Sequence, residues 1–203
     1  QRRRLGQGKL DGQRSVEGLK DVAPFLQETV YVHPLRDGRW YELTVIGDLH
    51  GCYSCFKGAL MQSAFLDRLE AFRRDPANEP EPKLILLGDY LDRGKYGFEG
   101  VLRLALQLMA AAPEHVFLIR GNHEHLVNDD QNNRIDSAVR PAESIAGLRE
   151  IAPESLLYAY GEMFEQLPHV LLFGRMMFTH GGIPADGVVA VDVGINRLED
   201  GTL

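Results

Sequence analysis

Four hydrophobic segments of this 203-residue chain each end in a glycine-flanked cluster of polar residues. The clusters are Gly47–Gly51, Gly88–Gly94, Gly121–Glu124 and His180–Gly182, which read GDLHG, GDYLDRG, GNHE and HGG. Glycine permits the sharp turns and close backbone approach that a crowded site requires. Polar side chains at the carboxyl ends of sheet strands commonly build the functional site of an α/β protein. The pattern therefore predicts a site assembled from strand ends.

The residue types in these clusters indicate metal binding. Carboxylates and imidazoles suit hard to borderline divalent cations. Asp48 and His50 are separated by one residue, so in an extended segment their side chains lie on one face and both reach one ion.

The hydrophobic pattern between the clusters predicts an α/β fold, because strands and helices alternate. The apolar runs that predict strands are 83–87, 116–119, 170–173 and 176–179. The predicted helices cover about 52–72, 97–112, 141–151 and 153–166. A hairpin is predicted where segments 31–35 and 40–46 flank Asp37-Gly38. Residues 128–140 form a polar stretch to which the sequence pattern assigns no helix or strand.

The composition and the sequence pattern restrict the classes of binding partner and the domain organisation. With 22 Lys and Arg against 29 Asp and Glu, the net charge is −7, which argues against binding to a nucleic-acid polymer. No apolar run is long enough to span a membrane, so no membrane partner is expected. Residues 1–30 are predicted to be an amino-terminal arm and residues 31–203 the catalytic domain.

The two cysteines and the amino terminus suggest an ordinary intracellular setting. Cys52 and Cys55 have the spacing of a redox or metal pair, but two small half-buried residues one helical turn apart is the favoured interpretation. Nothing at the amino end has the pattern of a signal peptide, and a cytoplasmic location is expected.

Together, GDLHG, GDYLDRG, RGNHE and HGG, in this order, resemble the calcineurin-like metallophosphoesterases and, within them, bacterial-type members of the phosphoprotein (Ser/Thr) phosphatase family. The motifs span residues 47–182, about two-thirds of the chain. The resemblance implies a β-sandwich of mixed sheets flanked by helices. It also implies phosphomonoester hydrolysis by a hydroxide that bridges two divalent ions, with Mn²⁺ expected and Fe, Zn, Co or Mg as alternatives.

The resemblance further implies which residues hold the ions. Asp48 and His50 would bind the first metal, Asp89 would bridge both metals, and Asn122 and His180 would bind the second.

The remaining motif residues would act on the substrate. The resemblance makes His123 the general acid that protonates the leaving oxygen and Asp92 the partner that orients His123. Arg93 would clamp the phosphoryl oxygens, with Asn122 and His123 also contacting the substrate.

Three further residues in or beside the motifs are expected to be structural. Glu124 and Arg120 are expected to make structural pairings, and Tyr90 is expected to pack.

One feature of the family pattern is missing. The family uses a further histidine ligand well after HGG, and no histidine follows His180 in this chain. We therefore expect the carboxyl-terminal part of the domain to be absent, which would leave the second metal one ligand short.

The sequence leaves three functions open. Tyr90 and the segment 117–124 favour a protein Ser/Thr phosphatase, whose partner is a phosphorylated protein or peptide. The segment 47–53 is more similar to bacterial dinucleoside polyphosphate hydrolases, whose substrate is a phosphorylated nucleotide or another small molecule. The missing ligand also allows an inactive binding module that keeps the phosphatase fold.

Overall fold

The structure is a computed structural model that describes residues 22–129 and 134–182. The described residues divide into two compact units, one formed by residues 22–39 with 168–182 and the other by residues 40–129 with 134–167. Within the described ranges, no helix has both the length and the apolar character needed to cross a membrane.

The larger unit is built on a three-stranded parallel sheet in the order β3-β4-β5. The strands are β3 (Tyr41–Ile46), β4 (Glu81–Leu86) and β5 (Val116–Leu118). The register places Ile46 beside Leu86 and Leu86 beside Leu118, so all three carboxyl ends meet at one edge. Every residue of central strand β4 is buried, which explains its lack of polar alternation.

Helices connect the parallel strands, as parallel pairing requires. Helices α1 (Tyr53–Gln62) and α2 (Phe65–Arg74) join β3 to β4. A π-helical segment, Gly97–Leu102, runs into α3 (Arg103–Ala111) and leads to β5. After β5 come a 3₁₀ turn, a two-stranded hairpin and two helices. These are Asn122–Glu124, β6 (Leu126–Asp129) with β7 (Arg134–Ser137), α4 (Glu143–Ile151) and α5 (Glu154–Glu165).

One hydrophobic core fixes the sheet and helices of the larger unit. Its fully buried side chains include one from each of α1, α2, β4, the π-helical segment and α5, namely Phe56, Phe65, Leu84, Leu102 and Phe164. Removing this apolar surface from water is the main force that holds the strand ends in place.

The smaller unit is a four-stranded mixed sheet in the order β1-β2-β8-β9. Its strands are β1 (Phe25–Gln27), β2 (Val30–His33), β8 (Val170–Phe173) and β9 (Met176–Thr179). Strand β2 pairs in parallel with β8, and the other two pairings are antiparallel. The mixed α/β architecture predicted from the sequence is confirmed. The sandwich arrangement of the sheets stays a prediction.

The predicted hairpin around Asp37-Gly38 is wrong. The chain does turn there, since Arg39 N donates to Arg36 O at 3.1 Å. The flanking strands nevertheless belong to different sheets, with β2 paired to β8 and β3 paired to β4. An Asp-Gly turn signal is local, whereas the choice of strand partner depends on distant residues.

The single helix predicted over 52–72 is also wrong. The chain breaks at Ala64, which adopts a φ of 50°, and two helices result. Helix α1 buries Phe56 and Leu60, and α2 buries Phe65 and Leu69. In one continuous helix, Phe65 would point about 140° away from Leu60, so the break lets both pairs reach the core.

The structure changes or extends the sequence predictions at three further places. Part of the polar stretch 128–140, to which the sequence pattern assigned no strand, pairs in the hairpin of β6 and β7. The predicted arm includes β1, where Phe25 is fully buried, while residues 1–21 lie outside the described ranges. Cys52 and Cys55 form a disulfide rather than two separate side chains. The arm boundary at residue 30 and the cytoplasmic location stay predictions.

Candidate functional site

The loops that follow β3, β4 and β5 are tied together by backbone amides. His50 N donates to Asp89 O at 2.7 Å, and Gly51 N donates to Tyr90 O at 3.0 Å. His123 N donates to the carboxylate Oδ1 of Asp89 at 3.0 Å. The three motif segments of the larger unit are therefore joined at the carboxyl edge of the sheet, as the pattern of strand ends predicted.

Five non-glycine motif residues have left-handed backbone conformations. Their φ values are 49° at Asp48, 41° at His50, 52° at Asp89, 63° at Asp92 and 57° at Arg93. Such values are uncommon outside glycine and cost free energy. They persist only where surrounding contacts hold them, and their concentration here marks a functional site.

Two glycines allow the second and third loops to touch. A Cβ atom on Gly121 would overlap Asp89 N and Oδ1, and one on Gly88 would overlap Gly121 N. Gly88 also has a φ of 104°. These positions require glycine because the backbones of the two loops lie in direct contact.

The hydrogen bonds of His50 determine its tautomer. Its Nδ1 lies 3.0 Å from Leu91 O, and a carbonyl oxygen only accepts, so Nδ1 carries the hydrogen. In the neutral ring Nε2 then presents a lone pair. This atom is buried without a hydrogen-bond partner among the described residues. A histidine fixed through Nδ1–H with its other nitrogen unsatisfied is typical of a metal ligand.

A carboxylate oxygen of Asp89 lies close to His50 Nε2. Its Oδ2 lies 3.3 Å from His50 Nε2, without hydrogen-bond geometry. A carboxylate oxygen and an imidazole nitrogen this close are held together either by a proton on the nitrogen or by a cation bound to both atoms. The donor set, nitrogen and oxygen, suits a borderline divalent ion. The residues present therefore fit the expected metal.

One potential ligand atom from each of His50, Asp89 and His123 lies within 4.8 Å of the other two. This cluster differs from the predicted ligand set, because it contains His123, which the resemblance assigned to proton transfer. The ring of His123 also meets that of His50 edge-on, with centroids 5.0 Å apart.

The structure places the other predicted ligands as follows. Asp48 is exposed in the loop after β3, and Asn122 is exposed at the start of the 3₁₀ turn after β5. His180 directly follows β9 in the smaller unit. The assignment of all three to metal binding stays a prediction.

Asp92 and His123 form a buried pair in the larger unit. His123 Nδ1 lies 2.8 Å from Asp92 Oδ2, and the side chains are 1% and 0% exposed. A carboxylate only accepts, so His123 Nδ1 carries a hydrogen and the ring orientation is set. The predicted pairing of these two side chains is present.

Sequence reasoning missed two residues next to this pair. Ser144 N donates to Asp92 Oδ1 at 2.9 Å, and Asp92 N donates to Ser144 Oγ at 2.8 Å. Arg93 N donates to Glu143 Oε1. Glu143 and Ser144 begin α4 and belong to no motif, so only the helix start that they form was visible in the sequence.

Glu124 is a structural acid, as expected. Its Oε2 accepts from Asp89 N at 2.8 Å and Gly121 N at 3.0 Å, and its Oε1 accepts from Tyr90 N at 2.8 Å and Leu91 N at 3.3 Å. Burial, and then the charge of Asp89, raise the pKa of Glu124 to about 7, against the lowering effect of the amide hydrogen bonds.

Tyr90 and Arg120 also have the structural contacts that we expected. The buried Tyr90 hydroxyl donates to Ile119 O at 2.9 Å, and burial raises its pKa well above the usual value. Arg120 Nη2 lies 2.7 Å from Glu165 Oε1. Both side chains link the strand-end loops to the surrounding elements.

Known proteins similar to this chain are phosphatases. The serine/threonine-protein phosphatase rdgC of Drosophila melanogaster is 30% identical over 165 residues, which are 81% of this chain and 22% of that protein. The PP2A-like phosphatase PPG1 of Candida albicans is 42% identical over 82 residues, 40% of this chain and 16% of that protein. The chain thus spans about a fifth of the length of these relatives.

A solved Ser/Thr phosphatase structure from Saccharomyces cerevisiae, with similarity to human phosphatase PP5, is 24% identical with a TM-score of 0.49. The match covers 77% of this chain and 44% of that one. The family model for calcineurin-like phosphoesterases matches residues 41–200. Since this match covers most of the sequence and every motif described above, the chain belongs to the calcineurin-like phosphoesterase family.

Proposed function

We propose that this chain hydrolyses phosphomonoesters on phosphorylated serine or threonine residues of proteins, with two divalent cations as cofactors. The observation that carries the proposal is the 3.3 Å approach of His50 Nε2, which makes no hydrogen bond among the described residues, to Asp89 Oδ2, since one cation can bind both atoms. The phosphatase relatives support the choice of substrate class.

The residues proposed to hold the cations are those that the motifs implied. They are Asp48, His50, Asp89, Asn122 and His180. Mn²⁺ is the proposed metal, because mixed nitrogen and oxygen ligands suit it. When bound, two divalent cations neutralise the phosphoryl charge and lower the pKa of the attacking water.

His123 is proposed as the general acid. Because its Nδ1–H is held by Asp92, the proton to be donated resides on Nε2. His123 therefore protonates the leaving oxygen of the serine or threonine side chain.

Arg93 is proposed to bind the substrate. Its guanidinium has the planar donor geometry that matches two phosphoryl oxygens. Its backbone N is held by Glu143, which anchors the residue in its left-handed conformation. Asn122, next to His123, is proposed to contact the same phosphoryl group.

The substrate class is tested by comparing rates on three compounds in the presence of Mn²⁺. These are a phosphoserine peptide, a small aryl phosphate and a dinucleoside tetraphosphate. We expect turnover of the peptide and the aryl phosphate. Faster turnover of the tetraphosphate than of the peptide would instead establish the nucleotide hydrolase that Gly47–Tyr53 resembles. Metal binding without turnover of any compound would indicate a binding module.

The residue roles are tested by two substitutions and a metal measurement on each. Asp89→Asn is expected to abolish turnover and metal binding, because one of its oxygens would become an amide. His123→Asn is expected to reduce turnover by about 10²–10⁴ with metal content intact. Loss of metal from His123→Asn would make His123 a ligand, as its place in the cluster with His50 and Asp89 allows.

A further inference from the structure

The buried carboxylate of Asp92 accepts a hydrogen bond from the N-terminus of α4, which is distant in the sequence. Its Oδ2 accepts a hydrogen bond from His123 Nδ1, and its Oδ1 accepts one from Ser144 N, 52 residues away. Ser144 is the second residue of α4, where backbone N–H groups have no partner within the helix. A fully buried charge thus has both of its oxygens hydrogen-bonded.

Helix α4 lacks a cap of its own. The residue before it, Ala142, has no side chain that can accept from the first turn. Asp92 takes the role of that cap from another loop, and the positive end of the nine-residue helix stabilises its charge. The helix and the carboxylate therefore satisfy each other.

A second hydrogen bond joins the same two residues, with the side chain of Ser144 as acceptor and the backbone of Asp92 as donor. The Ser144 hydroxyl accepts from Asp92 N at 2.8 Å and so holds a residue whose φ is 63°. Such a backbone is maintained by its contacts rather than by intrinsic preference. Loss of this acceptor leaves the N–H of a buried residue unsatisfied and releases the constraint on the carboxylate that orients His123.

We infer that Ser144 is a positioning residue that holds Asp92, and through it the His123 ring, in the orientation needed for proton donation. The inference rests on the proposed general-acid role of His123. It adds a component outside the motifs, at the first turn of α4. Ser144 touches neither the cations nor the substrate in this proposal, and its effect passes through Asp92.

The kinetic test uses leaving groups that differ in their need for a proton. Ser144→Ala is compared with wild type on phenyl phosphate, whose leaving group requires protonation, and on 2,4-dinitrophenyl phosphate, whose leaving group does not. We expect kcat/KM to fall about tenfold on phenyl phosphate and less than about twofold on the dinitrophenyl ester. Equal losses on both esters, or no loss, would overturn the inference.

A matched control and a milder variant accompany Ser144→Ala. Ser63→Ala removes the same hydroxyl from a serine that donates to Leu60 O, and should leave both rates unchanged. Ser144→Cys keeps a weaker acceptor at nearly the same position. It should show a smaller loss with the same dependence on leaving group, even if Ser144→Ala does not fold.

A second measurement does not require turnover, so it separates this inference from the proposed function. The proton on His123 Nδ1, hydrogen-bonded to a buried carboxylate, is followed by nuclear magnetic resonance. We expect its resonance to shift or broaden in Ser144→Cys and to stay unchanged in Ser63→Ala. An unchanged resonance in the Ser144 variant would refute positioning, whereas inactivity of the wild type would refute only the proposed function.

Discussion

At the scale of single residues, backbone amides rather than other side chains hold most of the carboxylates at the site. Glu124 accepts from four amides, Asp89 from that of His123, and Asp92 from that of Ser144. Amide hydrogen bonds to a charged acceptor are strong. These carboxylates therefore fix the loop conformations as well as providing charge.

Replacement of Glu124 should reveal this structural role. In Glu124→Gln, an amide nitrogen replaces one acceptor oxygen and faces backbone N–H donors. We expect a loss of at least about 2 kcal/mol in the free energy of unfolding at pH 8, measured by denaturant titration. The control Glu165→Gln changes an acid that is 57% exposed and should cost less than about 1 kcal/mol. Equal effects would contradict the prediction.

His115 should contribute a pH dependence to stability. Burial lowers its pKa, against the raising effect of its hydrogen bond to Pro82 O. Because the folded-state pKa lies below the unfolded value, the unfolded chain binds more protons as the pH falls below about 6.5. Stability from this group is thus present at neutral pH and lost on acidification.

Comparison with His115→Gln isolates this contribution. The free energy of unfolding of the wild type, relative to the variant, should decrease between pH 7.5 and pH 5. A difference that stays constant over this range would show that the pKa of His115 is the same in both states.

At the scale of elements, the site depends on parallel strands whose following loops touch. Strands β3, β4 and β5 end side by side, and the loops after β4 and β5 meet at Gly88 and Gly121. Helix α4 then packs its first turn against Asp92 and Arg93. The contact between these loops therefore depends on glycine at both positions.

Two glycine substitutions should have opposite effects on stability. In Gly121→Ala the new methyl group overlaps Asp89, and we expect a loss of roughly 1–3 kcal/mol. In Gly147→Ala, within α4, the methyl group meets nothing within 4 Å. The gain there should be about 0.5–1 kcal/mol, because alanine favours the helix. Thermal and denaturant unfolding measure both, and a stable Gly121→Ala would disprove the loop contact.

At the scale of the whole molecule, the overall charge opposes the proposed substrate. The net charge of −7 repels a phosphorylated peptide, so attraction must come locally from the bound cations and Arg93. Cations that bind only the folded chain also stabilise it. Metal binding and global stability are thus linked.

Metal addition should therefore raise the melting temperature. At a Mn²⁺ concentration 100 times the dissociation constant, the stabilisation should reach about 2.7 kcal/mol for each ion bound, and a chelator should reverse it. The variant Asp89→Asn should show no such shift by differential scanning calorimetry. A shift of equal size in that variant would place the ion elsewhere.

The sequence by itself predicted the residues of the candidate site and most of the elements. Asp48, His50, Asp89 and His123 were identifiable because ligand types and glycines recur at fixed spacing within short motifs. Strands β4, β8 and β9 were predicted because their apolar runs are local patterns. Such features need no knowledge of distant residues.

Only the tertiary structure decided which elements meet. It paired β3 with β4 rather than β2, and broke the helix at Ala64 so that both halves reach the core. It also brought Ser144 to Asp92 across 52 residues. A serine at a helix start looks ordinary in a sequence, because its hydrogen-bond partner is chosen by the packing of the whole unit and not by its neighbours.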